Sequence, residues 1–348
     1  MPEFATDLLQ ATARSFYLTL RVLPACVRPQ IGLAYLLART TDTIADTEIV
    51  PVAHRLAALQ QLRERILGRS AAPLAFGELA RQQGAPAERL LLERVEDGLL
   101  ALRQLSSEDQ SLIREVLSII TSGQELDLRR FATENSGDDN LVQPAGVSRR
   151  ANDPRRIGAL KTAAELEDYT YRVAGCVGEF WTKLCRAHLF PTAKLDEKQL
   201  MSDGIRFGQG LQLVNILRDL PRDLQSGRCY LPLEELTLAR LTPENLLQPE
   251  EAASFLPLYR IHLAQAEAHL AAGWRYTNSL PFGQFRVRLA CAWPLLLGVK
   301  TLQKLRASDV AGLQRRVKVS LGEVYALLAF SVLACPFPWW WRKLFPVV

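Results

Sequence analysis

The segment that decides the fold of this chain reads LQLVNILRDLPRD and occupies positions 211–223. Its apolar residues recur every three or four positions and continue a pattern that starts at Ile205, which predicts a helix. Asp219 and Asp223 are four residues apart, so their carboxylates lie on one helical face, one turn from each other. Pro221 removes a backbone donor between them and should kink or end the helix.

A second aspartate pair with the same spacing occurs near the N-terminus, in ARTTDTIADT. Asp42 and Asp46 extend a helical face that begins just after Pro29, a favoured first-turn residue. Like charges at this spacing destabilise a helix by about 0.2–0.5 kcal/mol. Mg²⁺ would relieve the repulsion, because it binds through one or two carboxylates and completes its octahedron with water and substrate phosphate oxygens. The two pairs therefore indicate a Mg²⁺ site for a phosphorylated ligand.

Spacing alone is weak support, since a chain of this composition gives roughly 0.6 such pairs by chance, and ordinary surface ion pairing is the alternative. The neighbouring residues make the hypothesis more specific. Arg39 precedes the first pair, Arg218 and Arg228 flank the second, and Gln212 and Asn215 lie one or two turns upstream. Arginine presents a planar fork that matches phosphate, so cations beside acidic clusters fit a polyanionic ligand.

The rest of the chain also has helical periodicity and few alternating β-branched runs, which predicts an all-α fold. Further helical segments are expected around 163–184, 252–279, 285–306 and 312–334. The stretch near 134–156 is rich in Gly, Pro, Asp and Arg, and we expect a mobile surface loop there. No repeat or composition shift divides the 348 residues, so one domain spanning 1–348 is the prediction.

Composition excludes several classes of protein. Hydrophobic residues at 48% and charged residues at 23% are typical of a globular chain, and a net charge of +5 is too dilute for a nucleic-acid binder. The six cysteines include no C-x-x-C, so a structural zinc site is not expected. The N-terminus lacks the basic-then-apolar layout of a signal peptide, and we expect a cytoplasmic protein.

The C-terminal residues 324–348 include an uncharged stretch interrupted by Pro336 and Pro338. The prolines argue against a membrane span, whereas three consecutive tryptophans beside Arg342 and Lys343 are typical of an interfacial anchor. We expect peripheral contact with the inner face of the membrane. A terminal helix packed on the core is the alternative.

With these motifs the chain resembles the squalene/phytoene synthase family of head-to-head prenyltransferases. The likeness begins at Ala13-Arg14-Ser15-Phe16-Tyr17 and includes the first aspartate motif, which follows Tyr35. It continues through GQELDL at 123–128, YTYRVAGCVG at 169–178, the second aspartate motif, and GRCYLP at 227–232.

The resemblance implies the all-α isoprenoid-synthase helical bundle with a central cavity. At the matching positions it implies the Mg²⁺ ligands Asp42, Asp46, Asp219 and Asp223. It implies diphosphate contacts from Arg14, Ser15, Arg39, Gln212, Asn215, Arg218 and Arg228. It places Tyr35, Tyr171 and Arg39 at the reacting centre. Of the two neighbouring tyrosines, Tyr169 and Tyr171, one at most should face the cavity, and the motif position favours Tyr171.

Within the family, Cys291-Ala-Trp-Pro294 and the VKVSLG segment at 317–322 resemble C-terminal elements of squalene synthases. This implies two farnesyl diphosphates as substrates and NADPH as reductant, with Lys318 and Asn215 as cofactor contacts. Arg172, Ala45 and Ser320 depart from the squalene synthase pattern, and GQELDL looks more like a phytoene synthase. Phytoene synthase, using geranylgeranyl diphosphate, and presqualene diphosphate synthase are therefore the alternatives, and a non-catalytic membrane-surface scaffold is the alternative of another class. Substrate chain length and oligomeric state stay open.

Overall fold

The computed structural model describes residues 3–135, 157–314 and 317–345. About 75% of the chain is helical, and the all-α prediction is confirmed. The loop expected near 134–156 lies, from residue 136 onward, outside the described residues.

Seventeen α-helices are present in the described part of the chain: α1 Glu3–Thr12, α2 Arg14–Val22, α3 Arg28–Asp46, α4 Val52–Ile66, α5 Gly77–Arg81, α6 Pro86–Glu93, α7 Val95–Arg103, α8 Ser107–Asn135, α9 Ala163–Thr170, α10 Cys176–Leu189, α11 Glu197–Gln225, α12 Leu233–Leu238, α13 Ala252–Ser279, α14 Phe285–Arg306, α15 Val310–Gln314, α16 Leu321–Ala334 and α17 Pro338–Arg342. A π-helical turn, Tyr171–Gly175, joins α9 to α10, and a 3₁₀ turn, Pro249–Glu251, precedes α13. Two short strands, β1 Gly158–Ala159 and β2 Arg228–Cys229, pair in parallel, with Gly158 opposite Arg228.

The described buried apolar side chains form two large clusters and a smaller third one, which includes Tyr276 and Cys291. One large cluster is built on α3, α4, α7 and α8, and the other on α11, α13 and α14. Helices α10 and α11 cross in close contact at Gly178 and Gly208, where a methyl group on either glycine would overlap a backbone carbonyl oxygen of the other helix or of the π turn. This close approach fixes the position of α10 relative to α11.

Of the two outcomes predicted for Pro221, a kink or an end of the helix, the second is wrong, because α11 continues to Gln225. Proline lacks the N–H that would bond the carbonyl oxygen of Leu217 one turn earlier. In this fold the hydroxyl of Tyr259, on α13, donates to that oxygen at 2.9 Å. The neighbouring helix therefore supplies the donor that Pro221 removes, and the second aspartate pair stays on one continuous helix.

The expected helix over 312–334 is also corrected. The structure has two helices there, and α16 starts after Ser320, which forms a capping box with Glu323. The Ser320 side chain accepts from the Glu323 backbone, and the Glu323 side chain accepts from the Ser320 backbone, so both donors at the helix start are satisfied. The serine that departs from the family pattern thus acts as a helix cap.

Candidate active site

A cavity of about 250 Å³ lies among α3, α10, α11 and α14, which contribute to its walls. Its lining is almost entirely apolar: Phe16, Thr19, Ile31, Ala34, Tyr35, Ala38, Val116, Ile120, Val173, Ala174, Val177, Gly178, Phe180, Trp181, Gly204, Phe207, Gly208, Leu211, Tyr276, Ala290, Cys291 and Pro294. A cavity of this kind suits a hydrocarbon chain and excludes water.

The aspartate pairs continue the helices that form the cavity walls. On α3, Ala38 lines the cavity and Asp42 follows one turn later. On α11, Leu211 lines the cavity and Asp219 follows about two turns later. Along each of these two helices, an apolar residue that lines the cavity is therefore followed within about two turns by an aspartate.

Arg228 connects the two acidic regions. Its guanidinium forms an ion pair with Glu48, two residues after Asp46, at 3.3 Å across 180 positions of sequence. Loss of hydration raises the pKa of both Asp46 and Asp223, and the positive charge of Arg228 opposes part of that rise in each case. The structure thus brings Asp46, of the first aspartate motif, and Asp223, of the second, within the electrostatic reach of one arginine.

Crowding of the carboxylates is visible in their pKa values. Loss of hydration, then repulsion from Asp46, raises the pKa of Asp42 to about 6 although its side chain is partly exposed. Loss of hydration, then repulsion from Asp219, raises the pKa of Asp223 to about 7. A bound cation would remove this repulsion.

Two of the predicted diphosphate-binding arginines are held by carboxylates in the structure. Arg218 forms two hydrogen bonds to the neighbouring Asp219, at 2.9 and 2.5 Å. Arg39 hydrogen-bonds Glu88 of α6 and lies 3.9 Å from an oxygen of Asp42. Both guanidiniums are therefore at the aspartate pairs.

The two predicted aromatic residues are in different places. Tyr35 lines the cavity, its ring 5.0 Å from that of Phe16, and its hydroxyl donates to the Thr12 carbonyl oxygen at 3.1 Å. The hydroxyl of Tyr171 donates to Glu179 at 2.9 Å, and Tyr171 is not among the described residues of the cavity wall. The structure does not bring Tyr171 to the predicted reacting centre.

The remaining predicted contacts are polar and mostly at the surface. Gln212 and Asn215 lie on α11, with the Asn215 amide 3.5 Å from the Gln212 carbonyl oxygen. Lys318 is exposed before α16, and no hydrogen bond or ion pair among the described residues joins it to Asn215. The side chains of Arg14 and Ser15 lie outside the described part of the structure.

Sequence reasoning gave no role to a second polar group at this site, on α8. Gln124 donates a hydrogen bond to Asp42, and Asp127 accepts one from Tyr230 at 2.9 Å. The Tyr169 ring stacks on Tyr230 at 4.7 Å. The GQELDL motif contains Gln124 and Asp127 at a spacing of three, which places them on one helical face, and this signal could have identified them.

Divalent cations fit the residues that are present. Asp127 Oδ1 and Gln124 Oε1 are buried and have no hydrogen-bond partner among the described residues. No three acidic, histidine or cysteine side chains in the described ranges are arranged to hold an ion by themselves. Carboxylate and carbonyl oxygens such as those of Asp127 and Gln124 are ligands that Mg²⁺ accepts, together with phosphate oxygens and water.

Comparison with known proteins gives a consistent result. Residues 9–323 match the squalene/phytoene synthase family. The presqualene diphosphate synthase of Rhodopseudomonas palustris is 30% identical over 94% of this chain and 96% of its own length. The phytoene synthase of Thermus thermophilus is 34% identical over 53% of this chain, and the aligned region spans 58% of that protein. TcSQS, solved with the ligand BPH1237, has the same fold, with a TM-score of 0.72 at 22% identity over 94% of this chain and 85% of TcSQS.

Proposed function

The chain belongs to the squalene/phytoene synthase family of prenyltransferases, and on that premise we propose that it is a squalene synthase. In the proposed reaction two farnesyl diphosphates condense head to head into presqualene diphosphate, which NADPH then reduces to squalene. The observation that supports this most is the convergence of both aspartate pairs and Arg228 beside one apolar cavity.

The residues of the chain divide the chemistry between them. Asp42, Asp46, Asp219 and Asp223 would hold Mg²⁺, which when bound neutralises the departing diphosphate. Arg39 and Arg228, whose charges both act on Asp46, would hydrogen-bond the same diphosphate as it acquires charge. Their ion pairs with Glu88 and Glu48 keep both positive charges beside the acidic residues, and a positive charge close to the departing diphosphate lowers the barrier to ionisation.

The cavity would protect the allylic cation that remains. Its apolar lining excludes the water that would otherwise trap the cation as an alcohol. The Tyr35 ring is fixed by its hydroxyl and its contact with Phe16, so an aromatic face can stay near the passing charge. The same walls would hold the second hydrocarbon chain against the cation.

The reductive half of the proposal depends on Asn215 and Lys318, with NADPH supplying a hydride when bound. Presqualene diphosphate synthase is the second candidate. It is favoured by the Rhodopseudomonas palustris relative, which is 30% identical to this chain over 96% of its own length.

Product identification after incubation with farnesyl diphosphate and Mg²⁺, with and without NADPH, tests the proposal. Squalene formed when NADPH is present, and presqualene diphosphate without it, is the expected result. Accumulation of presqualene diphosphate under both conditions would establish the second candidate. Phytoene from geranylgeranyl diphosphate, with no product from farnesyl diphosphate, would reject both.

We also propose peripheral contact of a cytoplasmic protein with the inner face of the membrane, through the C-terminal helices. No helix within the described ranges combines the length and apolar character needed to cross a membrane. Trp341 is buried and donates to Asn278 at 2.9 Å, which anchors α17 to the core, whereas Trp339 and Trp340 are 64% and 47% exposed. Exposed Trp beside Lys343 suits the boundary between headgroups and acyl chains.

Replacing Trp339 and Trp340 together by Ser should weaken binding to vesicles that contain anionic lipid by about tenfold or more, because two interfacial anchors are lost. Co-sedimentation with the vesicles measures the effect. Ile261→Ser, which removes a side chain of similar exposure from α13, is the control and should bind like the wild type. Equal binding of all three proteins would contradict the proposed contact surface.

A further inference from the structure

We propose that α8 supplies a third set of oxygen ligands, from Gln124 and Asp127, to the divalent cations at the two aspartate pairs. The inference rests on the proposed function, since it adds ligands to that same cation site. It gives a chemical role to the GQELDL motif, which the mechanism above does not use.

Gln124 is a buried amide, 7% exposed, whose head group touches the first aspartate pair. Its Nε2 donates to Asp42 Oδ1, because the carboxylate can accept a hydrogen bond and cannot donate one. The carbonyl oxygen Oε1 is therefore left over, and it has no partner among the described residues. A carbonyl oxygen is a ligand that hard divalent cations accept.

Asp127 lies one turn along the same helix, between the two acidic regions. Tyr230 donates to its Oδ2 at 2.9 Å, and the other carboxylate oxygen, Oδ1, is buried without a partner in the described part of the chain. Asp127 interacts electrostatically with both Asp46 and Asp223. The unpartnered oxygen, Oδ1, thus belongs to a carboxylate that interacts electrostatically with one aspartate of each pair.

The two oxygens have a physical requirement for a ligand. A buried acceptor without a hydrogen bond costs about 1–3 kcal/mol, so two of them one turn apart beside the aspartate pairs favour a ligand at this position. The alternative is that Asp127 serves as an ion-pair partner of Arg228. Burial raises the pKa of Asp127, and the charge of Arg228 opposes that rise. An ion pair leaves Gln124 Oε1 unexplained, whereas a cation near both residues explains both oxygens.

Cation binding can be measured without turnover. We would titrate Mn²⁺ into the full chain in the presence of inorganic pyrophosphate and count bound ions and their affinity by electron paramagnetic resonance. Asp127→Asn should bind at least one ion about tenfold more weakly, since losing a carboxylate ligand costs at least as much as losing its supporting partners. Gln124→Met, similar in shape but without the carbonyl oxygen, should weaken binding in the same way.

Two controls separate ligation from structure. Glu125 also has a buried oxygen without a partner among the described residues, Oε1, but its other oxygen faces Arg63 at 3.6 Å, and no hydrogen bond or ion pair in the described part of the chain joins it to an aspartate pair. Glu125→Gln should therefore bind Mn²⁺ like the wild type. Tyr230→Phe removes the hydrogen bond to Asp127 but keeps its carboxylate, and should retain the bound ion. Loss of the ion in Tyr230→Phe, with normal binding in Asp127→Asn, would assign the effect to packing and overturn the inference.

Asp42→Asn identifies which hypothesis fails. If Asp42→Asn weakens Mn²⁺ binding while Asp127→Asn and Gln124→Met do not, the inference is overturned and the proposed function stands. If none of the three variants changes binding, the aspartate pairs do not hold cations and the proposed function fails as well. The thermal midpoint of each variant is recorded, so that Gln124→Met decides the outcome if Asp127→Asn does not fold.

Discussion

Replacing Asp223 by Asn should lower turnover by about 10³-fold or more and, at pH 8, make the folded protein more stable. The loss of activity follows from the proposed role, since a carboxylate that holds the cation on the leaving diphosphate would be gone. The gain in stability follows from the site itself. Loss of hydration and repulsion from Asp219 raise the pKa of Asp223 to about 7 in the fold, so its ionised form opposes folding.

The gain should depend on pH in a defined direction. A carboxyl group whose folded pKa lies above its unfolded pKa binds more protons in the folded state, so the wild type loses stability as the pH rises from about 4 to about 7. Asn carries no proton and escapes that loss. We expect a gain of about 2 kcal/mol at pH 8 and almost none at pH 4, measured by urea unfolding at both values without added Mg²⁺. This is below the full effect of the pKa shift, because the buried amide also loses hydration.

Asp203 is the matched control, because it lies on the same helix and the same substitution applies. It is buried and accepts a hydrogen bond from Arg275 at 2.8 Å, away from the aspartate pairs. Asp203→Asn should therefore lose about 1 kcal/mol or more of stability and keep its turnover. If Asp223→Asn were less stable than the wild type at pH 8, the carboxylate of Asp223 would stabilise the fold. That result would contradict the proposal that this carboxylate is retained for cation binding at a cost in stability.

The aspartate pairs and the helices that carry them could be predicted from sequence because both depend on local spacing. A separation of four residues sets a shared helical face wherever the helix lies in the fold. The contact between Arg228 and Glu48 could not be predicted in this way, since 180 residues separate its partners and no local pattern encodes it. The resemblance to a family implied that the two motifs meet, and the ion pair gives the physical contact.

At Pro221 and Tyr171, prediction from local sequence fails because contacts with residues elsewhere in the fold decide the outcome. Local chemistry correctly identifies the backbone donor that Pro221 removes, but the outcome depends on Tyr259, a residue on another helix. The direction of Tyr171 is set by Glu179, which accepts from its hydroxyl at 2.9 Å, and by the π turn in which Tyr171 lies. A π turn changes the angular position of the residues that follow it, so a count at 3.6 residues per turn cannot assign their faces.

Gly178→Ala should destabilise the fold by about 3 kcal/mol and reduce activity, because the glycine is required where α10 crosses α11. A methyl group at position 178 would overlap the carbonyl oxygen of Gly204, and helix backbones cannot move apart as cheaply as a flexible side chain can. Gly178 and Gly204 both line the cavity, so any separation of the helices also changes the shape of the site. Thermal unfolding and turnover of the same preparation measure the two effects.

Gly322→Ala is the control for Gly178→Ala, and we expect it to raise stability where Gly178→Ala lowers it. Gly322 lies in the first turn of α16, and no atom is within 4 Å of the position its methyl group would take. Alanine restricts the unfolded chain and suits a helix, so this variant should gain about 0.5–1 kcal/mol and keep its activity. If both substitutions had the same small effect, the close crossing would not hold the cavity wall. The glycines of the YTYRVAGCVG motif would then need an explanation other than packing.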